Sequence, residues 1–280
     1  MNRHYKIGEF AKNLGVSAGF LKHHEKYGLL KPKVAESGYR YYDFYQAMLV
    51  VQCIRLQNMG FTSKEVADVL NDTASADMAA LFKEKRELIA RKYRLYREIL
   101  QYMDQLSGPG QEAEWRDEGG TWSIVRPEPF YYLENACEGQ FAGNQGRYEA
   151  ALRWNEYMPV VETCSRFERL DVRPRMESVG QWYMGLRILK TVADRLELFR
   201  NEEVRLVEPE KCLVYSVREK RKRNLDSPQR AVELILEDPL GICEKHGFLV
   251  NGDIFSVQRF CSTARKENYM EETVLIPVGQ

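Results

Sequence analysis

No two of the six cysteines (Cys53, Cys137, Cys164, Cys212, Cys243 and Cys261) stand closer than 18 residues apart. Zinc ribbons, zinc fingers and dithiol redox sites need thiols about two to four residues apart, so those local motifs are excluded and single buried thiols are expected. Long apolar runs are missing too. Nothing approaches the ~20 residues that cross a bilayer, and no signal-type apolar segment follows the first residues, so a cytoplasmic chain without membrane contact is expected. Histidine is scarce, with four among 280 residues, and net charge is zero.

The zero hides a division. Residues 1–64 carry ten Lys/Arg against four Asp/Glu, whereas residues 108–280 carry 24 against 29. A basic front on an acidic remainder points to an N-terminal module that seeks phosphate.

What is present begins with short, well-punctuated helices. KIGEFAKNLGV sets Ile7, Phe10, Ala11 and Leu14 at helical spacing and turns at Gly15. Ser17 is a suitable N-cap for a second helix that runs to about Tyr27 and stops at Gly28. Two short helices about a glycine-containing turn are a helix-turn-helix signature. Pro32, Gly38 and the run Tyr39 to Tyr42 predict a two-stranded wing. A third helix is predicted from Asp43 to about Met59, and Thr62 with Glu65 forms a capping box opening a fourth through Leu70.

Residues 77–106 predict one long helix of roughly 45 Å, at ~1.5 Å per residue. Leu81, Leu88 and Leu95 recur every seven residues with Ile99 beyond them, and Phe82, Ile89, Tyr96 and Met103 repeat alongside. Such a stripe needs a partner helix; packing on the chain's own C-terminal part is the alternative. SGPGQEAEWRDEGG, residues 107–120, reads as a linker.

Beyond it the chain echoes itself. SIVRPEPFYYLE and RLVEPEKCLVYS match at Val125/Val207, Pro127/Pro209 and Glu128/Glu210, each pair 82 residues apart. Each copy leads to a strand-rich run and then a helical pattern, at 148–157 and 228–246. The expectation is a pseudo-twofold α+β domain with a shared antiparallel sheet. Its aromatics favour flat, lipophilic or cationic ligands, with plain core packing as the alternative for any one ring.

Four stretches, YKIGEFAKNLGVS, FLKHHEKYGLLKP, ESGYRYY and LQNMGFTSKEVADVL, make the N-terminal part resemble the MerR family of transcription regulators. The doubled C-terminal layout, closing on Ile276-Pro277-Val278, looks like a GyrI-like effector-binding domain. The fold class expected is therefore α+β multidomain. Residues 1–75 would be a winged helix-turn-helix, 76–107 a dimerisation helix, 108–120 a linker and 121–280 the effector-binding domain. The resemblance implies a homodimer joined by an antiparallel coiled coil through Leu81, Leu88, Leu95 and Ile99. It also implies binding of double-stranded promoter DNA, distortion of that DNA for RNA polymerase, and a small lipophilic or aromatic ligand, with no cofactor.

The DNA-facing candidates are Lys6, Ser17, Lys22, His23, His24, Tyr39, Arg40, Tyr42 and Lys64. They supply donors suited to phosphates and base edges. Family members usually carry Arg where Lys22 stands and tyrosines where His23 and His24 stand. Lysine loses the bidentate fork, and histidine brings a charge that changes near neutrality. Adjacent helical residues point about 100° apart, so His23 and His24 do not form a chelating pair and no metal is expected.

The ligand candidates are Tyr131, Tyr148, Trp182, Tyr183, Ile254, Ser256, Gln258, Tyr269, Glu271 and Glu272. Multidrug-sensing relatives place a glutamate where Ser256 stands; either Glu271 or Glu272 replaces it, or the ligand is neutral or amphiphilic rather than cationic. Arg218 to Asn224, REKRKRN, is expected to be a solvated loop. Two other functions compete with a regulator: a protein that sequesters a toxic compound and binds DNA weakly, and a GyrI-like hydrolase. No nucleophile–base spacing supports an enzyme.

Overall fold

The computed structural model describes residues 4–71, 75–107, 120–141, 143–221, 228–262 and 268–279, with the side chains of 75, 76, 107, 218–221, 228–231, 260–262 and 268–270 excepted. The predicted linker lies almost wholly outside them. The chain divides into two compact units, Met1–Tyr93 and Arg94–Gln280.

In the first unit, β1 (Tyr5–Lys6) runs straight into α1 (Ile7–Leu14), which ends where Gly15 takes the left-handed conformation. Helix α2 (Ala18–Lys26) is capped by Ser17, whose hydroxyl accepts the Phe20 N–H at 3.0 Å. Strands β2 (Lys33–Val34) and β3 (Arg40–Tyr42) form the wing. The wing is three-stranded rather than two, because β1 pairs with β3, Tyr5 opposite Tyr42. Asp43 caps α3 (Phe44–Asn58) through the Gln46 N–H.

Helix α4 (Ser63–Asn71) opens on the expected capping box. Thr62 N–H donates to Glu65 at 2.7 Å, and Glu65 N–H donates back to the Thr62 hydroxyl at 3.3 Å. Leu21, Leu30, Phe10 and Val50 form the core between these helices. Helix α5 (Ser75–Ser107) then starts against a second cluster, where Leu81 packs with Leu56, Phe61 and Val66.

The second unit holds the later half of α5 and a ten-stranded antiparallel sheet. Its first half comprises β4 (Thr121–Val125), β5 (Phe130–Cys137), β6 (Gln140–Phe141), α6 (Gln145–Asn155), β7 (Glu162–Arg169), β8 (Val179–Leu189) and α7 (Lys190–Arg195). Its second half comprises β9 (Val204–Val207), β10 (Cys212–Arg221), α8 (Pro228–His246), β11 (Leu249–Val250), β12 (Ile254–Ser262) and β13 (Asn268–Gly279).

The halves exchange their first strands: β4 pairs with β10 of the other half, and β9 with β5. Val125 lies opposite Cys212, and Val207 opposite Phe130, so one 82-residue offset relates both registers. The repeated motif is the residue of a doubled sheet, joined at its centre by β7 and β12.

Both long helices lie on one face of this sheet. Leu236, Leu240 and Cys243 of α8 pack with Phe167, Ile254, Val274 and Ile276, while Ala150 and Trp154 of α6 pack with Leu133, Leu186 and Ile188. Trp154 is fully buried and satisfies its indole N–H on the Phe199 carbonyl at 2.8 Å. The opposite face gathers Phe130, Tyr132, Cys164, Phe255, Val257 and Leu275. At Gly185 a Cβ would run into the Leu133 carbonyl, so only glycine lets β8 approach β5 there.

Two expectations need correction. Arg218 to Arg221 continue β10 instead of opening a loop, since their backbone pairs with Glu271 to Asn268 of β13; residues 222–224 lie outside the described residues. Helix α5 also packs within its own chain along part of the leucine stripe, with Leu81 in the first unit and Leu95, Ile99 and Tyr102 against the α6 cluster in the second. Leu88 is half-buried.

Candidate nucleic-acid interface and ligand faces

Helix α2 buries Leu21 and His24 and exposes Gly19, Lys22, His23 and Lys26, at spacings of three, four and seven residues from Gly19. One face of a 3.6-residue repeat is thus hydrophobic and the other basic. Lys26 was missed by sequence reasoning, although its place four residues after Lys22 was the signal for it.

His23 is exposed, yet its Nε2 lies 2.9 Å from the Ser63 hydroxyl at the start of α4, which also accepts Gln57 Nε2 at 3.1 Å. His24 is wholly buried, with Phe20's ring 4.5 Å away. It offers nothing to a nucleic acid and is removed from the contact set. Burial and the charge of His23 lower its pKa, while Gln57 opposes the shift without reaching good hydrogen-bond geometry.

Tyr42 is likewise corrected: it is fully buried, stacked on Phe10 at 4.8 Å, and donates its hydroxyl proton to Glu25. Glu25 also accepts Arg40 Nε at 3.0 Å, and the Arg40 side chain is 41% exposed. At the wing, Tyr39 is exposed and Lys6 Nζ sits 5.3 Å from its ring centre. Ser17 and Lys64 are exposed, Ser17 already serving as a cap. The candidates that this unit leaves exposed or half-buried are therefore Lys6, Ser17, Lys22, His23, Tyr39, Arg40 and Lys64, with Lys26 added.

The ligand candidates do not converge. Strand alternation puts Tyr131, Trp182, Ile254, Ser256, Gln258 and Glu272 on the helix-bearing face and Tyr183 and Glu271 on the other. Tyr131 and Trp182 pack against the two core clusters, and Tyr148 is exposed on α6. Tyr183 stacks under Arg166, whose guanidinium is 3.7 Å from the ring centre. Tyr269 lies in β13, with its side chain outside the described residues.

A polar lane does form between the two helical clusters. Ser165 of β7 lies opposite Ser256 of β12, and Gln258 lies opposite both Thr163 and Glu272. Glu272 is buried and accepts the Ser256 hydroxyl. Glu272 of the neighbouring strand thus sets a carboxylate beside position 256; Thr163 and Ser165 were not foreseen. The opposite face carries ion pairs instead. Arg166 bridges Glu134 at 3.0 Å and Asp253 at 2.9 Å, and Arg187 holds Glu162 at 2.8 Å.

The described cysteines are free thiols, and burial pushes Cys164, Cys212 and Cys243 up to about 12. Among the described residues no three His, Cys, Asp or Glu side chains are grouped to hold a metal, and no helix is long and apolar enough to cross a membrane.

Comparison with known proteins places these observations. The HTH-type transcriptional regulator SkgA of Caulobacter vibrioides is 28% identical over 125 residues, which cover 44% of this chain and 49% of SkgA. The chain thus spans about half the length of the curated relatives it matches. Among solved structures, a MerR family transcriptional regulator from Bacillus cereus shares 23% identity over 41% of this chain and 88% of its own, with a TM-score of 0.37. The EcmrR–DNA complex shares 14% identity over 99% of this chain and 100% of its own, with a TM-score of 0.34. The model for the MerR HTH family regulatory protein matches residues 5–73. Residues 5–73 form a MerR-type helix-turn-helix domain.

Proposed function

We propose that this protein is a transcription regulator, an activator, that binds promoter DNA as a homodimer and answers to a small molecule held by its C-terminal unit. The observation that carries the reading is the exposed basic stripe Lys22, His23 and Lys26 on α2, inside the segment that matches the MerR HTH family. A helix of that kind fits a major groove, and the wing residues Lys6, Tyr39 and Arg40 suit the adjoining backbone.

Dimerisation is supported by what α5 leaves uncovered. Ile89, Tyr93, Tyr96, Leu100 and Met103 are each between 46% and 66% exposed, and they alternate at spacings of four and three. That is the a/d pattern of a coiled-coil seam, set one residue beyond the leucine stripe. An antiparallel partner helix from a second copy would cover it and hold two basic heads at a fixed separation. Distortion of the bound DNA for RNA polymerase follows from the same plan. The polar lane of Ser165, Ser256, Gln258 and Glu272, flanked by aromatics, supports a lipophilic or aromatic ligand there.

Gel-shift titration against the promoter of the protein's own operon tests the reading. Specific duplex binds well above scrambled competitor and loses affinity steeply with salt, and Lys22→Ala weakens it. Equal affinity for both duplexes replaces the regulator with a sequestering protein.

A further inference from the structure

A cavity of about 220 Å³ lies between the later half of α5 and the corner of the sheet where β7 begins and β8 ends. It is separate from the polar lane and opens on the other face of the sheet. Three carboxylates, Glu98, Glu128 and Glu162, and three guanidinium groups, Arg187, Arg195 and Arg259, line it. Glu162 is nearly buried and gives one oxygen, Oε2, to Arg187 at 3.0 and 2.8 Å. Its other oxygen lies 3.6 Å from Arg259 Nε, too far for a hydrogen bond. One carboxylate therefore faces two guanidinium groups.

The other acids of the cavity are engaged. Glu98 takes Arg195 at 2.9 and 2.7 Å, and Glu128 accepts the Thr191 N–H at 3.1 Å at the start of α7. Arg259 Nε is buried and has no hydrogen-bond partner among the described residues. Beside it stand Tyr102 and Gln105 of α5, with Val160, Leu189 and Val192 as apolar wall. Burial, and then the charge of Glu162, raise the Tyr102 pKa, so its hydroxyl remains a donor at neutral pH.

We infer that this cavity binds a small organic monocarboxylate, its carboxylate on Arg259 and Tyr102 and its short apolar body against Val160, Leu189 and Val192. An anion supplies the acceptor that the buried Arg259 Nε lacks, and a planar carboxylate matches the guanidinium fork. Because α5 forms one wall and the sheet the other, occupancy ties the helix to the sheet. Any consequence for regulation rests on the function proposed above, but the binding itself does not.

The test is calorimetry on the full chain, without DNA, using benzoate and hexanoate, each against its neutral amide. The acids bind, and the amides bind at least about tenfold more weakly, as loss of a charge-assisted pair requires. Arg259→Gln loses about the same factor while Arg259→Lys, which keeps the charge, retains part of it. Should Arg259→Gln prove unstable, Tyr102→Phe weakens acid binding several-fold and leaves the amide unaffected. Equal binding of acid and amide, sulfate acting as well as benzoate, or no acid binding at millimolar concentration would each overturn the assignment. Failure of the DNA titration would leave this result standing.

Discussion

Glu98 and Arg195 form a two-point ion pair, Nε and Nη2 donating at 2.9 and 2.7 Å to the two oxygens of a carboxylate that is 3% exposed. The pair fastens the later half of α5 to α7 within the second unit. Arg195 pulls the Glu98 pKa below the ordinary carboxylate value. Its contribution to stability is therefore present above that ordinary value and is lost as pH falls through the lower, folded one. Glu98→Ala leaves Arg195 without a partner but still able to reach water, so the loss is about 1–3 kcal/mol, less than for a wholly buried pair. Urea unfolding followed by tryptophan fluorescence measures it. No change in midpoint would show that the pair does not fasten the helix.

A second joint separates two effects at one residue. Glu65 closes the capping box on Thr62 and also accepts Lys85 Nζ at 2.6 Å, with the lysine side chain only 7% exposed. Thr62→Ala removes the cap alone and costs about 1 kcal/mol. Glu65→Ala strands a buried ammonium as well, and costs roughly 3 kcal/mol or more. Thermal melts of the two variants with the double variant distinguish them; equal losses would mean that Lys85 finds water easily.

Why some of this was legible and some was not follows from range. The caps at Ser17, Asp43 and Thr62 are local hydrogen bonds between residues three apart, so the sequence around them suffices. The span of α8 and the doubled sheet were readable because pattern and repeat lie along the chain. The pairing of β1 with β3 joins residues 37 apart and leaves no local mark. His24 and Tyr42 look like donors by type, and only packing makes them core; Leu21, three residues before His24, was the available hint. On α5 two apolar stripes run side by side, and tertiary contact alone decides which one stays exposed.

Buried His24 gives the first unit a pH dependence. Its folded pKa lies below the ordinary value near 6.5, so it is neutral in both states above that value and adds no slope. As pH falls through 6.5 the unfolded chain takes up the proton first, and stability declines toward the lower, folded pKa. Amide exchange over α2 and α3, measured in the full chain from pH 7.5 to 5.0, should therefore quicken on the acid side beyond the intrinsic exchange trend. His24→Leu, which keeps the apolar contacts with Phe20, flattens that excess. An unchanged acid slope in the variant would assign the effect elsewhere.

The exposed stripe of α5 makes the sharpest contrast between packing and association. Tyr96 and Leu100 are 60% and 61% exposed, while Leu95, beside them in sequence, packs into the α6 cluster. Replacing Tyr96 and Leu100 together by aspartate puts charge into a seam but touches no intrachain core. The variant should sediment as a single chain at micromolar concentration while keeping its melting temperature per protomer, apart from what dimerisation itself contributes. Leu95→Ala should do the reverse, lowering stability by about 1–3 kcal/mol for a half-buried leucine and leaving the dimer intact. Sedimentation of the two variants at matched concentration reads both outcomes. If Leu95→Ala dissociates the protein and the double aspartate variant does not, the seam lies on the leucine stripe and the packing of Leu95 against the sheet domain is secondary.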